Sequence, residues 1–145
     1  MKRAVGIVII AKDTNKFLLL HRTTKPIVWS VLSGTMEDDE EDPLETLKRE
    51  IKEEIGIDSN FIDDIQKLGE EKFDKTLFYI FVGFVDKEFD ISNLKKDEND
   101  EYGWFDEENL PNSIHKRWPK TFQLIKPILD LRESFKNNFN NLLNG

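Results

Sequence analysis

The chain of 145 residues contains no cysteine. That one absence excludes a disulfide framework, a thiolate metal site and a cysteine nucleophile, so a metal would have to be held by oxygen or imidazole. Histidine is nearly absent as well: His21 and His115 stand alone, with no partner at ligand spacing, and neither is assigned any chemistry. Long hydrophobic runs are also lacking. A stretch such as Ala4 to Ala11 falls far short of the ~20 apolar residues that a membrane helix needs. Behind the basic Lys2-Arg3 pair this stretch is short and β-branched and runs into Lys12-Asp13 instead of a small-residue cleavage site, so no secretory signal is expected. A reducing cytoplasm is the expected location. Positive charge is the last shortage: 21 basic against 29 acidic residues give a net charge of −8, and the bases do not cluster. Long nucleic acid is therefore not an expected partner, and an anionic substrate would need a cation as intermediary.

The length and the 38% hydrophobic, 34% charged composition fit one globular domain over residues 1–145. Residues 4–10 and 17–22 are β-rich runs around the polar Lys12–Lys16 segment, which predicts a hairpin. Residues 23–34 show no helical period. Glu37 to Asp42 are six consecutive acids, either a solvated loop or a metal loop. Residues 62–73 and 76–85 read as strands, the second apolar enough to be central; 86–100 reads as a polar loop and 102–105 as a short strand. Tyr102 and Trp104 alternate onto one side of that strand, where core packing is expected. A C-terminal helix is predicted over about 119–135, kinked or broken at Pro127, followed by an Asn-rich end that frays unless Phe139, Leu142 and Leu143 dock.

The clearest element is a helix from Pro43 to about Ile55. Asp42 is placed to cap it, Pro43 occupies its first position, Glu45 could close a capping box, and Gly56 is suited to a left-handed C-terminus with Ile57 packing behind it. At about 100° per residue, Leu44, Leu47, Ile51 and Ile55 form an apolar stripe, and Arg49, Glu50, Glu53 and Glu54 share the arc beside it. Two like charges ~5 Å apart cost about 3 kcal/mol at an effective dielectric near 20, and acids near a helix C-terminus also oppose the macrodipole. Such an arc is either a solvated face of an acidic protein or a site for a hard cation such as Mg²⁺ or Mn²⁺.

Gly34, then Glu41, then Arg49-Glu50-Ile51-Lys52-Glu53-Glu54-Ile55-Gly56-Ile57 resembles the Nudix box, G-x5-E-x7-R-E-U-x-E-E-x-G-U with U aliphatic, over residues 34–57. Two departures stand out. Six residues separate Gly34 from Glu41, so that either the loop is longer or Glu40 fills the box position, and Leu32-Ser33-Gly34 replaces the family's common Pro-Gly-Gly.

The resemblance implies an α/β fold, the Nudix α/β/α sandwich with a mixed β-sheet. It also implies cleavage of a nucleoside diphosphate linked to another moiety by water attack on phosphorus, with Mg²⁺ or Mn²⁺ as cofactor and a small nucleotide as the binding partner. Residue by residue, it makes Glu50, Glu53 and Glu54 metal ligands with the Gly34 carbonyl, and Arg49 the group that orients them. The general base ranks as Glu50 before Glu53, with Glu98 and Glu101 as candidates from the downstream loop and Glu101 as a further metal ligand. Arg22 corresponds to a phosphate-binding position in many members, with a solvent-facing strand end as the equal alternative. Trp29 could stack on a base, although loop anchoring is the more ordinary role for it. The segment His115-Lys116-Arg117 reads as a solvated patch before a helix, with phosphate contact as the lesser reading. The substrate is not specified, since the proline and tyrosine that mark ADP-ribose and dinucleoside polyphosphate members are missing around Lys72–Lys75. The alternative to a hydrolase is a non-catalytic nucleotide or ADP-ribose sensor on the same fold. A homodimer is possible, but one sequence does not fix it.

Overall fold

A computed structural model describes residues 1–40 and 42–144. Its strands are β1 (Lys2–Ala11), β2 (Phe17–Arg22), β3 (Trp29–Ser30), β4 (Leu32–Thr35), β5 (Asp63–Phe73), β6 (Thr76–Val85) and β7 (Asn99–Phe105); its helices are α1 (Pro43–Ile55) and α2 (Trp118–Asn144). A single 3₁₀ turn, Ser59–Phe61, follows α1. The strands form a mixed sheet. β1 runs parallel to β6 in register from Lys2 opposite Thr76 to Ala11 opposite Val85, and the other pairings are antiparallel.

The uninterrupted apolar composition of β1 follows from this position. Val5, Ile7 and Ile9 pack with Leu47, Ile51 and Ile55 of α1, and Val8 and Ile10 pack with Trp118, Ile125 and Leu129 of α2. Both faces of the strand are thus covered by helices, which removes the need for polar alternation. The result is the expected α/β/α sandwich.

α1 has the expected bounds. The Asp42 side chain accepts a hydrogen bond from the Leu44 N–H at 3.0 Å, and Gly56 adopts φ 71°, ψ 17°, its N–H donating to the Lys52 carbonyl. Glu45 accepts from Lys48 Nζ at 3.3 Å in place of the expected capping box.

Residues 23–34, which lack a helical period, contain β3 and the first three residues of β4, both strands too short for alternation to register and held by pairing to β2 and β1. Two expectations at the C-terminus are corrected. α2 is not broken at Pro127 but continues through it, a position exposed to water, where the carbonyl that loses its intrahelical partner can be solvated. The same helix runs on to Asn144, and Phe139, Leu142 and Leu143 stay exposed instead of docking.

Candidate active site

The packing of α1 decides where its acids go. Burial of Leu47, Ile51 and Ile55 against the sheet rolls Glu50 and Glu54 to the edge of the seam, leaving them 6% and 1% exposed. β4 passes beside this edge, and Gly34 makes the fit possible, because a Cβ there would overlap the Glu50 carboxylate. Only a residue without a side chain lets the strand and the carboxylate approach so closely.

Arg49 gathers the surrounding acids. Its Nε and Nη2 donate to the two carboxylate oxygens of Glu40 at 3.0 and 2.7 Å, and its Nη1 lies 3.0 Å from both Glu53 and Glu50. Nη2 also donates to the Thr35 carbonyl at 3.3 Å. The Glu40 carboxyl is pulled down to about 2, chiefly by the Arg49 hydrogen bond and then by the backbone N–H of Glu37. Glu40 therefore fills the place opposite Arg49; Glu41, the other candidate for that box position, lies outside the described residues.

The carboxylates behind Arg49 are only partly compensated. Burial, with Glu53 and Glu98 nearby, pushes the Glu50 carboxyl up to about 7 against the opposing pull of Arg49. Glu54 is raised too, first by burial and then by Glu98, while Glu98 is lowered by its hydrogen bonds to Glu54 and Lys95. Asn99 Nδ2 donates to Glu54 at 2.7 Å. The segment before β7 is fixed here by three links: the Lys95 N–H to the Glu54 carbonyl, the Thr23 N–H to the Glu98 carbonyl, and Thr23 Oγ1 to the Asp97 carbonyl. A cluster of hard oxygen donors with surplus negative charge, packed into the space that Gly34 leaves, suits a divalent cation.

Of these groups, Gly34, Arg49, Glu50, Glu53, Glu98 and Asn99 line a cleft of about 900 Å³. Arg22 also lines it, its guanidinium held by the carbonyls of Pro26 and Lys25 and by Thr24 Oγ1. Phe78, His115 and Arg117 belong to the same cleft. Arg117 is only 5% exposed, its guanidinium carbon sits 3.8 Å from the centre of the Phe78 ring, and its Nε has no hydrogen-bond partner. Burial lowers Arg117 to about 10, which leaves it protonated at neutral pH. Glu71, opposite Phe78 on β5, is a buried carboxylate with both oxygens unpartnered; burial raises it, and Arg117 and Lys120 pull it back.

The cleft thus brings together Gly34, Arg49, Glu50, Glu53, Glu98 and Arg22, with Glu54 behind them. Three expected site residues are not among its lining: Glu54, Glu101 and Trp29. Glu101 is exposed beside His21 and Asp100, whose Nδ1 and Oδ1 lie 2.7 Å apart; one ligand atom from each of the three lies within 4.8 Å of the others. Trp29 packs edge-on against Phe105 at 5.2 Å and beside His21, while its backbone clamps the segment before α2: its N–H donates to the Ser113 carbonyl and its carbonyl accepts from the His115 N–H. That clamp explains why the solvated-patch reading of residues 115–117 holds for Lys116 alone. No local signal distinguishes Arg117 from Lys116, because its burial depends on Phe78 from a strand about 40 residues away in sequence.

Comparison with known proteins places this geometry. The family model of the NUDIX domain matches residues 1–126. The chain is 43% identical over 56 residues to dihydroneopterin triphosphate diphosphatase of Haemophilus influenzae, a match covering 39% of this chain and 35% of that protein. It is 30% identical over 112 residues to the m7GpppN-mRNA hydrolase of Saccharomyces cerevisiae, covering 77% of this chain and 11% of that one. The chain therefore spans about a third and about a tenth of these relatives' lengths. The structure of the Escherichia coli dihydroneopterin triphosphate pyrophosphohydrolase superimposes with a TM-score of 0.67 at 22% identity, over 86% of this chain and 92% of that one. With its domain match over most of the chain and a glutamate-bearing helix seated against Gly34, this protein belongs to the Nudix family.

Proposed function

We propose that this protein is a divalent-metal-dependent pyrophosphohydrolase that cleaves a nucleoside diphosphate linked to another moiety, by attack of water on phosphorus. The observation that carries the reading is the placement of the α1 carboxylates Glu50 and Glu53 and the cationic Arg22 in one cleft. The acids suit a cation, and Arg22 suits a phosphorylated substrate.

Nudix enzymes generally use divalent metals, and here Mg²⁺ or Mn²⁺ would be held by Glu50, Glu53 and Glu54 with the Gly34 carbonyl. Such an ion supplies charge neutralisation at the phosphoryl oxygens and acidifies water. Arg49 holds Glu50 and Glu53 in place through shared contacts at Nη1. Arg22, fixed by the 24–26 loop, is placed to bind a phosphate oxygen. Glu50, Glu53 and Glu98 all line the cleft, so the proton of the attacking water is assigned to one of these three and not to Glu101. The substrate is proposed to be a small nucleotide in the cytoplasm, not long nucleic acid, in keeping with the net charge of −8.

The test is release of phosphate-containing products, with and without Mg²⁺, from nucleoside triphosphates, ADP-ribose, nucleotide sugars, dinucleoside polyphosphates, NADH and dihydroneopterin triphosphate, run beside Glu54→Gln. Metal-dependent cleavage lost in a folded variant supports the hydrolase. Binding without turnover across the panel would replace it with a sensor.

A further inference from the structure

The two donors at the Phe78 end of the cleft are not used by the hydrolytic chemistry. Gly34 of β4 pairs with Val5 and Phe78 of β6 pairs with Ala4, so strand β1 separates the carboxylate end from the Phe78 end. At the Phe78 end the surroundings are aromatic: Arg117 lies on the Phe78 ring, and the His115 ring meets Phe73 edge-on at 5.6 Å. The Arg117 Nε is sealed from the cleft and its counter-charge is the buried Glu71 carboxylate, so only the terminal guanidinium nitrogens are left to meet a ligand.

The tautomer of His115 is set by its neighbour. The Arg117 backbone N–H donates to His115 Nδ1 at 3.0 Å, so Nδ1 is an acceptor and the ring proton sits on Nε2. Burial and the nearby cationic Arg117, Arg22 and Lys116 hold the imidazole down to about 4, which keeps it neutral. His115 Nε2–H and the Arg117 guanidinium are both hydrogen-bond donors, and both residues line the cleft beside Phe78.

We propose that His115 and Arg117 are specificity-determining residues that select a fused bicyclic base presenting two adjacent acceptors, a ring carbonyl beside a ring nitrogen, over one presenting an exocyclic amine. The 6-oxopurines offer O6 and N7, and 4-oxopteridines offer the equivalent carbonyl and nitrogen; adenine offers N7 beside an amine that would face a donor. The aromatic surroundings of Phe73 and Phe78 favour a base here, with the phosphates toward Arg22 and the carboxylates. This inference rests on the reading of the cleft as a nucleotide site.

The test compares pairs differing only in the base, GTP with ATP and diguanosine with diadenosine tetraphosphate, together with ITP, 7-deaza-GTP and dihydroneopterin triphosphate. These are assayed as kcat/KM on the wild type, His115→Phe, His115→Gln and Arg117→Lys, and as equilibrium binding to Glu54→Gln. The expected result is a preference for oxo bases over adenine of about tenfold or more, with 7-deaza-GTP losing most of it. His115→Phe should raise KM for the oxo substrates and leave ATP unchanged, while His115→Gln, which keeps a donor, retains the preference. A stronger preference for dihydroneopterin triphosphate than for GTP would support the proposal and identify a pteridine as the base. Equal handling of GTP and ATP, or equal losses on all substrates in the folded variants, would overturn it and make the donors phosphate ligands. Absence of turnover with any substrate would refute the hydrolase alone, because binding to Glu54→Gln still reads the preference between bases.

Discussion

Gly34 and Glu50 occupy adjoining parts of one volume: the Glu50 carboxylate fills the space in which a side chain on Gly34 would begin. Gly34→Ala must therefore move either β4 or the carboxylate. Since a misplacement of about 1 Å at a catalytic group costs about 100-fold, kcat should fall by about that factor or more. Circular dichroism should show the sheet retained. Full activity in Gly34→Ala would mean that Glu50 takes no part.

Arg49 is the sole cation in direct contact with the carboxylates of Glu40, Glu50 and Glu53 among the described residues. Arg49→Lys keeps one charge but cannot reproduce the two-pronged contact with Glu40. Urea denaturation should show a loss of about 2 kcal/mol, with a larger loss in Arg49→Gln, where the acids are left unpaired. Equal stability of all three proteins would show the fan of contacts to be superficial.

Glu98 and Glu101 are near in sequence and separate in space. Glu98→Gln should lower kcat by about 100-fold with little change in melting temperature, and Glu101→Gln should leave kcat within about twofold. The reverse pattern in steady-state assays would return the downstream role to Glu101.

Because Glu50 is raised from 4.5 to about 7 and Glu54 is raised as well, the folded metal-free protein holds protons that the unfolded chain has released between those values. The stabilisation is complete below pH 4.5 and is lost as pH rises through about 7. Mg²⁺ competes with those protons and binds only the folded site, so the rise in melting temperature on adding millimolar Mg²⁺ should be larger at pH 8 than at pH 6. A shift that does not depend on pH would count against cation binding at these carboxylates.

Pro127 interrupts the hydrogen-bond ladder of α2 at an exposed position. Pro127→Ala should restore one bond and stabilise the fold by about 1–3 kcal/mol in urea titration, with activity unchanged. A loss of stability would mean that the proline shapes the packing of α2 on the sheet.

The sequence by itself determined α1 to the residue, because capping, the proline at the first turn, the apolar stripe and the closing glycine are local and agree with one another. It also determined the buried strands β1 and β6, whose continuous apolar runs have no other stable place. The tertiary structure alone decided the rest of the site. β3 and β4 are too short to carry a period, and Glu98 rather than Glu101 reaches the cleft because the preceding loop is tied to α1 and to Thr23, just after β2. Arg117 is buried because Trp29 clamps its segment and Phe78 receives it, contacts made between residues far apart in the chain. Local hydrogen bonding and periodicity are written in neighbouring residues; which distant side chains share a cavity is settled only when the sheet is assembled.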